Sequence, residues 1–536
     1  MRLLPLFLFA ATLGGCAVPP ATSPAAPWQP DQGDGTYRNP VLHADYSDPD
    51  AIRVGDRYYM TASSFNYVPG LPLLTSGDLV NWTLVGHALP RLVPEAAFAT
   101  PQFGKGVWAP CLRWHDGKFW IFYPDPDHGI YVITAENFTG PWSAPHLLLP
   151  GKGIIDPTPL WDDDGNAYLL HAWARSRSGI NNVLTLRRMT PDARTLLDRK
   201  GRDIIDGNRL PGYRTLEGPK FYKAGGYYYV FAPAGGVAEG WQSVFRARTI
   251  DGPYEDRIVM AQGDTAVNGP HQGAWVRHAD GRDWFLHFQD SKAYGRIVHL
   301  QPMRWADGWP VIGADSGALH VGQPVARHAK PAPGSMAAAP ATTDEFDAAT
   351  LGLQWQWNVN PQPAWHSLAA RPGVLRLPVQ GVPAAHGYVR GAPILSQKVP
   401  ATAFSVQTHV ELTGAADGDR AGLVVDGMQY AWLGLRRDKA ATQLVYTECG
   451  PAVMRCTESS EVLLADSPTA LHLRLDWRDG ANVQFAYSLD GKAWTPAPRA
   501  FAAQPGRWVG ATLGLFSVGD APRGGYLDVD YFRVAR

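Results

Sequence analysis

Hydrophobic and polar positions alternate in short bursts along the first part of the chain. Each burst breaks at a turn rich in Gly and Asp and resumes with aromatic residues. Five such units stand out: Arg53–Thr61 (RVGDRYYMT), Arg113–Tyr123 (RWHDGKFWIFY), Trp161–Leu170 (WDDDGNAYLL), Tyr222–Phe231 (YKAGGYYYVF) and Arg277–Phe288 (RHADGRDWFLHF). Alternation on both sides of a Gly-containing turn predicts a β-hairpin. The hairpins recur every fifty to sixty residues or so, roughly the period of propeller blades. A second recurring element, Ser76–Leu84, Ala135–Trp142 and Thr249–Tyr254, places a turn before an aromatic residue after a hairpin, as an outer blade strand requires.

One conspicuous residue precedes each hairpin. In order these are Asp48 (SDPD), Trp108 (WAPC), Asp156 (DPTP), Glu217 (LEGP) and His271 (PHQGA). Equivalent positions in a repeat occupy equivalent places in space, and the first strand of a propeller blade lines the central channel. The pattern therefore predicts three carboxylates, a Trp and a His converging on one axial funnel. A carboxylate beside Pro49, Pro157 or Pro219 could equally cap a turn. The recurrence of all three at the repeat period favours chemistry.

Beyond Pro324–Thr343, a Pro/Ala-rich stretch, the pattern changes to many short alternating segments, among them Ser405–Leu412, Leu471–Trp477, Val483–Ser488, Ala511–Phe516 and Leu527–Val534. Short strands with turn signals between them predict a β-sandwich. The expected class is thus all-β: a signal peptide (1–15), a flexible tether (16–33), a five-bladed β-propeller catalytic domain (34–322), a linker (323–343) and a jelly-roll or concanavalin-like β-sandwich (344–536).

Composition sharpens this at a few points. Lys plus Arg number 48 against 49 Asp plus Glu, with no basic run. That balance excludes nucleic acid as a partner. Arg2 followed by the apolar Leu3–Leu13 reads as a targeting segment, too short to span a bilayer. Leu13-Gly14-Gly15-Cys16 resembles a bacterial lipoprotein cleavage box, which implies lipid attachment on Cys16. The expected location is an exported lipoprotein, in the outer membrane facing the periplasm or the cell surface, and the only membrane contact expected is this anchor. Cys449 and Cys456 are close enough for a small-loop disulfide in an oxidising compartment, with two free thiols as the alternative. Cys111 reads as buried and inert. No Cys/His spacing suggests zinc.

The segments NPVLHADYSDPDAI (39–52), GVWAPCLRWHDGKFWIFY (106–123), IIDPTPLWDDDGNAYLLHAWA (154–174), LEGPKFYKAGGYYYVFAPAGG (216–236), GPHQGAWV (269–276) and AYGRIVHLQPMRW (293–305) resemble, in order, glycoside hydrolase family 43. YSLDGKAW (487–494) and GYLDVDYFRV (525–534) resemble the concanavalin-like domain of its β-xylosidase-type members. The resemblance implies an inverting, exo-acting hydrolase that removes terminal pentoses from hemicellulose oligosaccharides of plant cell walls. It leans slightly to α-L-arabinofuranosyl, with β-D-xylosyl or both as alternatives. It implies Asp48 as general base, Glu217 as general acid and Asp156 as the residue that raises and orients the acid. Inversion needs the two carboxyl groups ~6.5–9.5 Å apart, so that water fits between base and sugar. Arg296 matches a family arginine that reaches substrate and acid. Trp108 is the expected sugar platform, since aromatic faces pack on sugar C–H groups, and Phe65, Trp173 and Trp241 are further candidates for the rim. No cofactor is required. The family often holds calcium on the propeller axis, which makes His271, with waters, a candidate ligand. Two other classes compete: a non-catalytic carbohydrate-binding propeller, which the intact acids argue against, and a phosphorolytic or transferring propeller, for which no basic cluster is present.

Overall fold

The computed structural model describes residues 26–317, 320–333, 337–382, 388–439, 441–450, 457–522 and 524–536. Five antiparallel sheets follow one another along the chain, each built around four consecutive strands. They start at Asp50, Cys111, Ile154, Lys220 and His271 and end at Leu89, Pro150, Asp206, Met260 and Ile312. Each predicted hairpin forms the first two strands of a blade. The turn chemistry explains their tightness. Asp116 (φ 48°) and Gly117 (φ 72°) form a two-residue link between Cys111–His115 and Lys118–Asp125. Left-handed backbone at both positions matches strand twist. The second recurring element falls at the links between third and fourth strands, at Ser76–Trp82, Ala135–His146 and Ala247–Glu255.

A propeller must tie its last blade to its first. Thr36–Arg38 pairs antiparallel with Arg327–Ala329. Asn39 then receives Leu300 N on Oδ1 and donates through Nδ2 to Leu300 O and Val325 O, each at 2.8 Å. Tyr37 Oη donates to Leu300 O at 2.8 Å. Residues of blade one (Met60, Leu74, Trp82) and blade five (Trp284, Leu286, Val298) share one apolar core around Tyr37.

Two expectations are corrected here. Residues 26–33 are no free tether. Trp28 lies under the Arg38 guanidinium at 3.9 Å and donates to Pro40 O at 2.8 Å, and Pro30 is buried. The segment read as a linker is also docked: Lys330 is buried between Asp31 and Asp78, with its ammonium 3.1 Å from Asp78. The composition suggested chain without a core, but its few large or charged residues found partners on the propeller.

The remaining strands form two sheets, with strand Gln356–Trp357 at one end of the first and Tyr526–Ala535 central in the second. Between them lies a core of alternating inward residues such as Val406, Leu423, Leu473, Phe485 and Leu515. Cys449 is disulfide-bonded. Its expected partner Cys456, like Cys16, lies outside the described residues. The sandwich is built onto the propeller through its backbone. Val68 and Trp357 exchange hydrogen bonds at 2.8 and 2.6 Å, Asn66 Nδ2 donates to Asn358 O at 2.8 Å, and Gly510 N donates to Asp45 Oδ2 at 3.0 Å.

Candidate active site

Each blade enters its first strand through a short kink, and the kink aims the acids. Asp48 (φ 52°) and Asp156 (φ 53°) both take the left-handed conformation immediately before a proline, as does Gly218 (φ 59°). Such backbone is unfavourable for a non-Gly residue and persists only where surroundings enforce it. Asp48, Ala109, Asp156, Gly218 and Gln272 therefore share one repeat position. Trp108, Glu217 and His271 stand one residue earlier, so the five predicted residues are not strictly equivalent. They still meet at the channel, because a one-residue offset beside a kink alters direction more than location.

Asp48 is buried. Ser63 Oγ donates to its Oδ2 at 2.6 Å, and the Arg296 guanidinium contacts Oδ1 at 3.0 Å and Oδ2 at 3.3 Å. Arg296 thus pairs with Asp48, and no hydrogen bond or ion pair among the described residues joins it to Glu217. The reason is topological: Arg296 opens the third strand of blade five, and its carbonyl accepts from Tyr46 N beside Asp48. Its own backbone N–H donates to Asp45 Oδ1 at 2.9 Å.

Asp156 receives Gly218 N on Oδ2 at 2.7 Å, and Gln272 Nε2 lies 3.4 Å away. Burial first, then the neighbouring Glu217 charge, pushes the Asp156 carboxyl well above the ordinary carboxylate range. The sequence reading had Asp156 acting on Glu217. In the structure Asp156 is the more buried partner, and the Glu217 charge acts on it in turn. Glu217 is the more accessible acid, with its side chain 22% exposed, and His271 Nε2 lies 3.0 Å from its Oε1.

That contact bears on calcium. His271 is fully buried, its Nε2 faces Glu217, and its Nδ1 has no protein partner. Calcium takes six to eight oxygen ligands, and no group of three or more metal-binding side chains occurs among the described residues. For the ion expected here, held by one His and waters, the unpartnered Nδ1 would be the protein donor, and no step below passes through it.

Trp108 is half-buried, held by Nε1–H donation to Gly104 O at 2.9 Å. The Arg177 guanidinium lies 5.2 Å from its ring. Phe65 sits 6.4 Å from it, centroid to centroid, but is buried and backs the platform. Trp173 and Trp241 are half-buried and turned into their blades. Their indole N–H groups donate within their own blades, to Thr185 Oγ1 at 2.8 Å and Ser243 Oγ at 3.1 Å. Trp508 of the sandwich meets Trp108 edge-on at 6.2 Å, and sequence reasoning did not find it. No repeat pattern marks it. Ser63 and Gln272 were also missed, although Gln272 lies in a segment that carries the family resemblance.

One step further down each first strand lies a buried ionic layer. Asp50 accepts from Arg113 Nη1 at 3.0 Å and Leu112 N at 2.8 Å, with Lys220 Nζ 3.6 Å away. Thr158 Oγ1 receives Arg113 Nη2 at 3.1 Å. Cys111, a free buried thiol, sits beside Thr158, and burial pushes it up to about 11. It is protonated and inert at neutral pH. The layer lies two residues along from the kink positions of these strands and ties blades one to four together.

The site therefore gathers Asp48, tied to Arg296 and Ser63, with the buried, raised carboxyl of Asp156 and the more accessible Glu217. The model of the glycosyl hydrolases family 43 matches residues 37–310, and that of the beta xylosidase C-terminal concanavalin A-like domain matches 343–535. A putative beta-xylosidase of Xylanibacter ruminicola is 40% identical over 91% of this chain and 87% of that protein. A non-reducing end alpha-L-arabinofuranosidase of Bacteroides ovatus is 31% identical over 73% of each. The crystal structure of a xylan beta-1,4-xylosidase from Bacillus halodurans superimposes with a TM-score of 0.80 at 25% identity, over 93% of this chain and 100% of that one. With the acids, the blades and the sandwich all in place, the chain belongs to the glycosyl hydrolases of family 43.

Proposed function

We propose that this inverting glycosidase removes single terminal pentoses from hemicellulose oligosaccharides. The observation that carries the reading is the meeting of three acids from three blades, Asp48 held by Arg296 and Asp156 raised by burial and by the Glu217 charge, with the aromatic pair of Trp108 and the sandwich's Trp508 nearby. Asp48 deprotonates a water, and the Asp156–Glu217 pair supplies the proton to the departing oxygen through Glu217. The sequence leaned to α-L-arabinofuranosyl, and the Bacteroides ovatus relative supports it. The names of the Xylanibacter relative and the Bacillus structure support β-D-xylosyl. A panel of chromogenic pentosides decides between them. Cleavage of neither, with retained binding of xylo-oligosaccharides, would restore the binding-propeller reading.

The location is also a proposal. The Leu13–Cys16 box supports lipid attachment at Cys16. Cys16→Ser is expected to move the protein from the membrane fraction to the soluble one, and a variant that stays membrane-bound would refute the anchor.

A further inference from the structure

A cavity of about 590 Å³ lies between the two domains, and none of the three acids lines it. Its propeller wall includes Asn66, Phe103 and Gly104, and its sandwich wall Arg390, Asp426 and Arg507. The volume falls in the range of small-molecule sites.

The lining has the chemistry that recognises a neutral sugar. Phe103 is 41% exposed, although a ring of this size is usually covered, and the Arg390 guanidinium is held 5.3 Å from it. An aromatic face of this kind packs on sugar C–H groups. Asp426 is only 6% exposed, and its carboxyl receives the Gly427 backbone N–H. Burial pushes its carboxyl up to about 6, against the opposing effects of Arg390 and of that bond. A carboxylate accepts several hydrogen bonds, and sugar hydroxyls entering the cavity can add to the one from the backbone. Arg507 is exposed and in no ion pair among the described residues. Its guanidinium stacks 4.4 Å from the Trp508 ring, so its N–H groups remain available to sugar oxygens.

Two parts of this wall touch the funnel. Gly104 accepts from Trp108 Nε1 on one side, and on the other a Cβ at its position would lie 2.5 Å from Arg507 Cγ. Gly506, Arg507 and Val509 line the cavity, while Trp508 between them turns to Trp108.

We infer that the interdomain cavity is a second sugar-binding pocket, which takes a pentose-containing oligosaccharide unit. The inference rests on the pentoside-hydrolase reading. The test is calorimetric titration of the full chain carrying Glu217→Gln with xylobiose. Adding Phe103→Ala or Arg507→Ala, both at exposed positions, is expected to weaken one binding event at least ten-fold. Adding Trp108→Ala instead is expected to leave that event within about three-fold. No binding event at all, or events that survive both exposed-residue variants, would overturn the pocket. Wild-type cleavage of pentosides is read separately: cleavage without a cavity-sensitive event refutes the pocket alone, whereas absence of cleavage refutes the hydrolase reading.

Discussion

At the scale of single residues the site is a set of carboxylates in unequal surroundings. Both are buried, but Asp48 has a cation and a hydroxyl donor, whereas Asp156 has one backbone N–H and a neighbouring acid. Opposed environments are what allow one carboxyl to work as base while another keeps a proton. Asp48→Asn and Glu217→Gln are each expected to lower kcat by about 10²–10⁴-fold, the usual worth of general acid–base catalysis, with an unchanged circular dichroism spectrum. A variant retaining a tenth of wild-type turnover would remove that residue from the chemistry. For Asp156 the sign can be worked out. Loss of the last proton from the Asp156–Glu217 pair leaves two adjacent negative charges, which delays it to higher pH. Asp156→Asn removes one charge, so the alkaline limb of the kcat/KM profile is expected to move to lower pH. An unmoved limb would show that the pair does not share its proton.

At the scale of elements, the blades are locally encoded, but ring closure depends on a few long-range bonds. Asn39 makes three of them, to Leu300 and Val325, with the chain separated by more than 250 residues. Asn39→Ala takes this partner from Leu300 N and Val325 O in a part-buried place, while Leu300 O keeps the Tyr37 hydroxyl. The expected cost is about 1–3 kcal/mol, read as a lower urea midpoint for the propeller transition. An unchanged midpoint would mean that the Thr36–Arg38 pairing closes the ring unaided. The kinks before Pro49 and Pro157 show the same division of labour. The proline disfavours helical backbone in the residue before it, while the left-handed φ of Asp48 and Asp156 is enforced by contacts from other blades.

At the scale of the whole molecule, two domains share one site. Asp45 joins them, since its two oxygens receive Arg296 N and Gly510 N. The sandwich is thereby tied to the strand that delivers Arg296 to the base, and it adds Trp508 to the rim. Stereochemistry tests the assembled geometry. If Asp48 activates water instead of attacking the sugar, one displacement inverts the anomeric centre. Proton NMR before mutarotation is expected to show β-L-arabinose from an α-L-arabinofuranoside, or α-D-xylose from a β-D-xyloside. Release of the retained anomer would contradict the assignment.

Much of this was legible from the chain alone. The five hairpins, the sandwich strands, the three acids, Trp108 and the proximity of His271 to the funnel all follow from local alternation, turn residues and their recurrence. These are properties of near neighbours in sequence, where periodicity and backbone preference act. Tertiary structure alone decided the rest. Arg296 pairs with Asp48, Asp156 carries the larger burial, Trp173 and Trp241 turn inward, residues 26–33 dock, and Trp508 arrives from the second domain. Each of these depends on which segments meet across hundreds of residues, and on how much water is excluded where they meet. Burial and cross-blade contact are properties of the assembled surface, and no local pattern in the chain records them.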